Sequence, residues 1–122
     1  MNFNKVAILI PTMNRSDFLI RQLRYYASVK SQHPVYIGDA SNQEHRERTE
    51  KVVDDLQAQI TIHYNHWPKL NVLETQNRLG DVAKADYCAY TGDDDFLIPD
   101  SLSKCADFLE KNLEFRTAHG RG

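Results

Sequence analysis

Short apolar stretches alternate with longer segments of helical periodicity along this chain. Four apolar, β-branched or aromatic stretches have the length and composition of strands, at 5–10, 34–37, 60–64 and 86–91. Four segments carry apolar residues at helical spacing, at about 16–29, 44–58, 71–84 and 100–112. Ser16 or Asp17 would cap the first helix, and Asp100 or Ser101 the last. Strands alternating with helices predict right-handed crossovers and a mainly parallel sheet.

The apolar positions also predict which residues form the core. The first stretch is apolar throughout, which is typical of a strand covered on both faces, and Pro11 should end its ladder because proline lacks a donor. The helix residues expected to face inward are Leu19, Leu23, Tyr26, Ala27, Val52, Val53, Leu56, Leu73, Leu79, Val82, Ala83, Leu102, Cys105, Phe108 and Leu109. The predicted fold is α/β in three layers, with a sheet of about four strands between helices.

No strand is predicted after the last helix, so the sheet ends early. An uncovered apolar edge favours pairing with another chain, and we expect a homodimer or aggregation.

Composition excludes several classes of protein. At 122 residues the chain is one domain, and its net charge of −2 provides no polycationic field for nucleic acid or an anionic membrane. Its apolar runs are far shorter than the roughly 20 residues that span a bilayer, and no secretory signal is evident. Cys88 and Cys105 cannot build a disulfide framework and are expected to be inert packing thiols. A soluble, cytoplasmic protein is predicted.

Polar residues follow three of the four predicted strands. In an open parallel sheet, ligands bind beyond the carboxyl ends of the strands. Asp93–Asp95 is the most informative of these sequences, because adjacent carboxylates repel one another unless they are solvated or bind a cation. The run predicts either a Mg²⁺ or Mn²⁺ site or a solvated turn before the last helix. Asp39 could accept hydrogen bonds from a nucleoside, or form a local Asx-turn with Ser41 and Asn42.

Several common site motifs are missing from the sequence. No Gly-x-Gly-x-x-Gly follows the first strand, no phosphate-loop Gly-Lys-Ser/Thr is present, and no Gly-x-Ser-x-Gly nucleophile elbow occurs. His63 and His66 are close in sequence but have no evident third ligand, so packing or surface roles are favoured for them. The chemistry is therefore expected at the strand ends.

Three stretches together resemble family 2 glycosyltransferases. Ile8-Leu-Ile-Pro-Thr-Met-Asn-Arg15 is similar to the family's first strand and turn, and Ile37-Gly-Asp-Ala-Ser-Asn42 to its base-binding strand end. The stretch 83–100, with Gly92-Asp-Asp-Asp95, resembles the region of the DxD-type acidic motif. The resemblance covers nearly the whole chain and implies the Rossmann-like, nucleotide-sugar-binding part of a GT-A domain over residues 1–122, truncated at its C-terminus.

The resemblance implies roles for particular residues. Pro11, Thr12 and Met13 would lie along the nucleoside, Asp39 would contact the base, and Asp93 would hold the ribose. Asp94 or Asp95 would meet the Mn²⁺ or Mg²⁺ that bridges the diphosphate. The family often has a basic residue before Asn in the helix preceding the acidic strand. Here that position is Gln76, and Arg78 follows two residues later as the candidate diphosphate contact.

The implied activity is metal-assisted, inverting transfer of a sugar from a nucleotide-diphosphate sugar, with a UDP-sugar favoured, to an unknown acceptor. In the family, the second half of the domain supplies the acceptor pocket and the catalytic base, and no residue here is assigned as base. An alternative is a non-catalytic nucleotide-binding or interaction module of the same fold. A third, more distant alternative is a receiver-like signalling domain, although the acidic pair expected after the first strand is absent.

Overall fold

The computed structural model describes residues 6–120 and confirms the predicted alternation of strands and helices. The strands are β1 (Val6–Thr12), β2 (Val35–Asp39), β3 (Ile62–His66) and β4 (Tyr87–Tyr90). The helices are α1 (Ser16–Ser28), α2 (Gln43–Leu56), α3 (Val72–Val82) and α4 (Pro99–Lys111). Each strand lies within two residues of its predicted position, and Lys5, the predicted start of the first, lies outside the described residues.

All strand pairs are parallel, in the order β3-β2-β1-β4. This order matches the first four strands of the doubly wound dinucleotide-binding arrangement, in which the first strand lies between the second and the fourth. A receiver domain places its first strand between the second and the third. The observed topology therefore contradicts the receiver-like alternative.

Successive residues of β1 point to opposite faces of the sheet and enter two separate clusters. Ile8 and Ile10 pack among residues from α1 and α2, which include Leu23 and Val53. Ala7 and Leu9 pack with Leu79 of α3 on the other face. The predicted three-layer arrangement is thus confirmed, and a strand covered on both faces explains why β1 is apolar throughout.

Pro11 ends only one of the two ladders of β1, so the prediction that it stops the strand is wrong. Leu9 O accepts a 3.1 Å hydrogen bond from Thr91 N–H. The backbone N–H and C=O groups of the odd-numbered residues of β1 therefore face β4. The missing donor of Pro11 therefore falls on the β4 side, where pairing ends at Leu9. Pairing with β2 continues to Thr12, opposite Asp39.

The first helix has no side-chain cap, contrary to the prediction for Ser16 or Asp17. Arg15 is its N-cap residue. The Ser16 hydroxyl instead lies 2.8 Å from His45 Nδ1, and Asp17 forms a 3.3 Å ion pair with Arg48, so both side chains tie α1 to α2. Tertiary contacts thus replace the local cap.

The last helix also begins differently from the prediction for Asp100 or Ser101. Pro99 is its first residue and follows Ile98, consistent with proline's preference for a position where its missing N–H is not needed.

Several side chains of α3, β4 and α4 are less buried than predicted. Leu73, Val82 and Phe108 are exposed, and Ala106 is the buried residue of α4. Cys88 is exposed as well, so the prediction of a packed thiol is wrong for this residue. For Cys88, the physical reason is that β4 pairs only with β1 among the described elements, which leaves its far edge without a strand partner. Within residues 6–120, no helix is long and apolar enough to cross a membrane.

Candidate functional site

A cleft of about 510 Å³ opens at the carboxyl ends of β1 and β4, beside the start of α3. The predicted site residues that line it are Pro11, Thr12, Met13, Gln76, Asp93 and Asp94. Arg15, Ala40, Thr75 and Tyr90 complete part of its wall. The structure therefore brings two of the three predicted polar strand ends to a single cavity, and the third contributes through Ala40.

Asp93 is the buried carboxylate of the cleft, with 7% of the residue exposed. Its Oδ2 accepts a 2.9 Å hydrogen bond from the Thr12 hydroxyl, across 81 positions of sequence. Its Oδ1 lies 3.4 Å from Arg15 Nε. Thr12 and Arg15 thus supply a hydrogen bond and an opposite charge to a carboxylate whose burial without partners would be costly.

Asp94 lies next to Asp93 at the mouth of the cleft, where its side chain is half exposed. Its Oδ2 is 3.4 Å from Arg15 Nη2, so one guanidinium bridges both carboxylates. Arg15 was not a predicted site residue. The sequence feature that could have identified Arg15 is a positive charge in the turn after β1, because the three adjacent carboxylates of Asp93–Asp95 need a nearby cation to offset their repulsion.

The backbone of the acidic loop is held from below by α1. Gln22, which is 1% exposed, donates from Nε2 to Gly92 O at 3.0 Å and to Asp93 O at 3.3 Å. Its Oε1 accepts a 2.6 Å hydrogen bond from Tyr26, whose hydroxyl oxygen in turn accepts Leu97 N–H. Burial is the main reason that the pKa of Tyr26 is raised to about 12. The signal for Gln22 was a polar residue within the apolar stripe of α1.

The turn after β4 can accommodate carboxylate oxygens from two residues. A Cβ on Gly92 would lie 3.1 Å from Asp94 Oδ1 and 4.0 Å from Asp95 Oδ2, so glycine leaves space that another side chain would take. Within residues 6–120, no three Asp, Glu, His or Cys side chains are grouped so that they could hold a metal. The donors present suit a hard cation that takes one or two carboxylates and completes its shell with water or substrate phosphates.

Asp39 is fully buried beside the cleft rather than in its lining. Its Oδ1 accepts Ser41 N–H at 2.8 Å, which is the local turn foreseen as the alternative role, and its Oδ2 accepts the Tyr64 hydroxyl at 2.5 Å. Burial and Asp39 together raise the pKa of Tyr64 above its ordinary value. Contact between Asp39 and a base stays a prediction.

Two further predicted residues lie outside the lining of the cleft. The Arg78 guanidinium stacks 5.4 Å from the centroid of the Trp67 ring, and Asp95 is exposed at the edge of the loop. Gln76 does line the cleft, and its carbonyl oxygen accepts a 3.0 Å hydrogen bond from Tyr90.

Solved structures match the chain over most of its length. The crystal structure of S. aureus TarS 1–349 has a TM-score of 0.70 and 18% identity, over 97% of this chain and 37% of that chain. A second structure of S. aureus TarS has a TM-score of 0.69 and 18% identity, over 97% of this chain and 23% of that one. TarS is a family 2 glycosyltransferase. The chain therefore spans well under half the length of these proteins, and no family model or curated protein sequence matches it.

The likeness to TarS concerns the fold. This chain has a Rossmann-like α/β fold of the glycosyltransferase type, consistent with the N-terminal half of a GT-A domain, as its sequence predicted.

Proposed function

We propose that this chain binds a nucleotide-diphosphate sugar, with Mn²⁺ or Mg²⁺, and is the donor-binding part of a glycosyltransferase. The observation that supports this most directly is the cluster of Thr12, Arg15, Asp93 and Asp94 at one end of the cleft. It combines a buried carboxylate, an exposed carboxylate and a guanidinium in a cavity at the edge of the sheet where nucleotides bind in such folds.

In this proposal, the ribose, nucleoside and diphosphate of the donor are assigned to residues in or beside the cleft. The ribose would contact Asp93, and the nucleoside would lie along Pro11, Thr12 and Met13. Asp94 and Asp95 would hold the cation, which when bound would neutralise charge on the departing diphosphate. Gln76 lies across the cleft as a neutral hydrogen-bonding group for the donor, and Arg78 reaches the diphosphate only by leaving Trp67.

Recognition of the base by Asp39 requires a local rearrangement. Both of its oxygens have a partner, but each carboxylate oxygen accepts about two hydrogen bonds. Movement of Ala40, which lines the cleft, would open a path from the base to Asp39, and a uracil N–H would then share Oδ2 with Tyr64. A UDP-sugar is the favoured donor, as the resemblance to family 2 glycosyltransferases implies.

Titration calorimetry with UDP, in the presence and absence of Mn²⁺, tests the proposal. We expect UDP to bind only with the cation, and Asp93→Asn and Asp94→Asn each to weaken binding by about tenfold or more, as expected for lost charged interactions. The matched control is Asp55→Asn, because Asp55 is exposed on α2 away from the cleft. Equal affinity in wild type and both cleft variants, or binding independent of Mn²⁺, would contradict the proposal.

A non-catalytic nucleotide-binding module is the second candidate, and one observation favours it. Asp93 and Asp94 are the carboxylates in the cleft lining, and both are engaged by Arg15, which leaves no described acid there to deprotonate an acceptor. A sugar-transfer assay on a longer protein that contains this chain separates the two candidates. Transfer that is lost in Asp94→Asn would exclude the non-catalytic module.

A further inference from the structure

The turn between β1 and α1 delivers Arg15 to the acidic loop. Asn14 adopts a positive φ of 54°, a conformation that asparagine tolerates better than most residues. Its N–H donates to Ser41 Oγ, and its Oδ1 accepts Asn42 N–H, both at 2.8 Å. Two hydrogen bonds to the loop after β2 thus fix the residue immediately before Arg15.

The Arg15 guanidinium is supported on one side and ion-paired on the other. It lies 4.7 Å from the centroid of the Phe18 ring, a cation–π distance. It approaches Asp93 and Asp94 through different nitrogens, each at 3.4 Å. These distances exceed the 2.7–2.9 Å or so of a tight charge-assisted hydrogen bond, so the contacts are loose and exchangeable.

We propose that Arg15 is the resident counter-ion of Asp93 and Asp94 and that it makes the cation and the diphosphate bind together. This inference rests on the proposed function. When no diphosphate is bound, the guanidinium lowers the affinity of these carboxylates for a divalent cation, because two cationic groups would then share one site. When a diphosphate binds with the cation, the guanidinium transfers from the carboxylates to the phosphate oxygens.

The chemistry of arginine supports such an exchange. Its planar fork matches phosphate and carboxylate geometry equally well and carries its charge at every relevant pH. A diphosphate that takes over the guanidinium frees Asp94 for the cation and Asp93 for the ribose, so the cation and the nucleotide each raise the affinity of the other. This coupling must be reciprocal, because it is a free energy shared by the two sites.

Electron paramagnetic resonance of free Mn²⁺, titrated with the full 122-residue chain with and without UDP, measures this coupling. In wild type, we expect saturating UDP to tighten Mn²⁺ binding by about tenfold, within the usual range of coupling. In Arg15→Gln, Mn²⁺ alone should bind about threefold to fivefold tighter, the size of a partly exposed ion pair, and the effect of UDP should fall to about twofold or less.

Two variants serve as comparisons. Arg24→Gln removes the same charge from an exposed position of α1 and should behave as wild type. Arg15→Lys keeps the charge but replaces the fork by a point charge, and it should give intermediate coupling. Because the Arg15 side chain is 46% exposed and forms no helix-capping hydrogen bond, these variants should fold, which far-ultraviolet circular dichroism checks.

The possible outcomes separate this inference from the proposed function. If wild type binds UDP with Mn²⁺ and Arg15→Gln shows the same coupling as Arg24→Gln, the role of Arg15 is refuted while the donor site stands. If wild type binds no UDP at any Mn²⁺ concentration, the proposed function fails and the exchange by Arg15 fails with it. If Arg15→Gln, but not Arg24→Gln, binds Mn²⁺ more tightly and loses the effect of UDP on Mn²⁺ affinity, the result supports both the proposed function and the role of Arg15.

Discussion

Gln22 offers the sharpest test of how the acidic loop is held. Gln22→Leu keeps a side chain of similar size but removes one acceptor and two donors from a site that is almost fully buried. The Tyr26 hydroxyl and Asp93 O then lose a partner inside the protein, whereas the carbonyl of exposed Gly92 can bind water. At about 1–2 kcal/mol for each buried group left without a partner, the free energy of unfolding should fall by about 2–4 kcal/mol.

Urea unfolding, followed by the fluorescence of the single tryptophan, measures this loss. Gln32→Leu, at an exposed position after α1, is the matched control and should change stability by less than about 0.5 kcal/mol. Gln22→Leu should also weaken binding of UDP with Mn²⁺, because the backbone of Asp93 is no longer anchored. A stability equal to that of Gln32→Leu would refute the hydrogen-bond network as the support of the loop.

Tyr26→Phe separates the two halves of this network. The variant removes the acceptor of Leu97 N–H but leaves Gln22 Nε2 bonded to the loop. We therefore expect it to lower stability while changing the affinity for UDP much less than Gln22→Leu does. Equal losses of affinity in the two variants would show that the loop is positioned by general stability rather than by Gln22.

Three further predictions concern pH and the sheet edge. Because burial raises the pKa of Tyr26 from 10.0 to about 12, the stability from its neutral phenol is complete below pH 10 and is lost as pH rises through about 12. The stability difference between wild type and Tyr26→Phe, measured by urea unfolding, should therefore shrink over that window, and a constant difference would contradict it. Although Cys88 is exposed as a residue, neighbouring protein atoms partly desolvate its thiol and raise its pKa above 9.0. Its alkylation in Cys105→Ser should therefore have a midpoint above pH 9, and a midpoint at or below this value would be inconsistent. The far edge of β4, which has no strand partner among residues 6–120, should drive self-association that increases with concentration in sedimentation velocity and decreases in Cys88→Lys. A monomer at all concentrations would exclude this.

The sequence alone was sufficient for the order and type of every element. The continuous apolar run of β1 and the helical spacing of apolar residues in α1 are local properties of the sequence. The alternation of strands with helices also indicated that the strands are parallel. The parallel arrangement then implied that residues after β1, β2 and β4 share one edge of the sheet. That rule, together with the resemblance to family 2 glycosyltransferases, pointed to Thr12, Asp39 and Asp93–Asp95. The structure brings Thr12, Asp93 and Asp94 to one cleft and leaves Asp39 and Asp95 outside its lining.

Other features depended on contacts between distant parts of the chain. Ser16 binds His45 instead of capping its own helix, since the start of α2 packs beside the start of α1. Leu73 and Phe108 are apolar at helical spacing but remain exposed, because amphipathic spacing does not reveal whether another element covers the helix.

The composition of the site was likewise decided by tertiary structure. Local sequence cannot reveal that Gln22 reaches the backbone of Asp93, about 70 residues away, or that Arg15 bridges two carboxylates nearly 80 positions further along. Nor can it show that Tyr64 from a neighbouring strand occupies an oxygen of Asp39. The sequence therefore determined at which edge of the sheet the candidate site lies. Packing determined which charges meet there, because burial and ion pairing depend on three-dimensional neighbours rather than on sequence spacing.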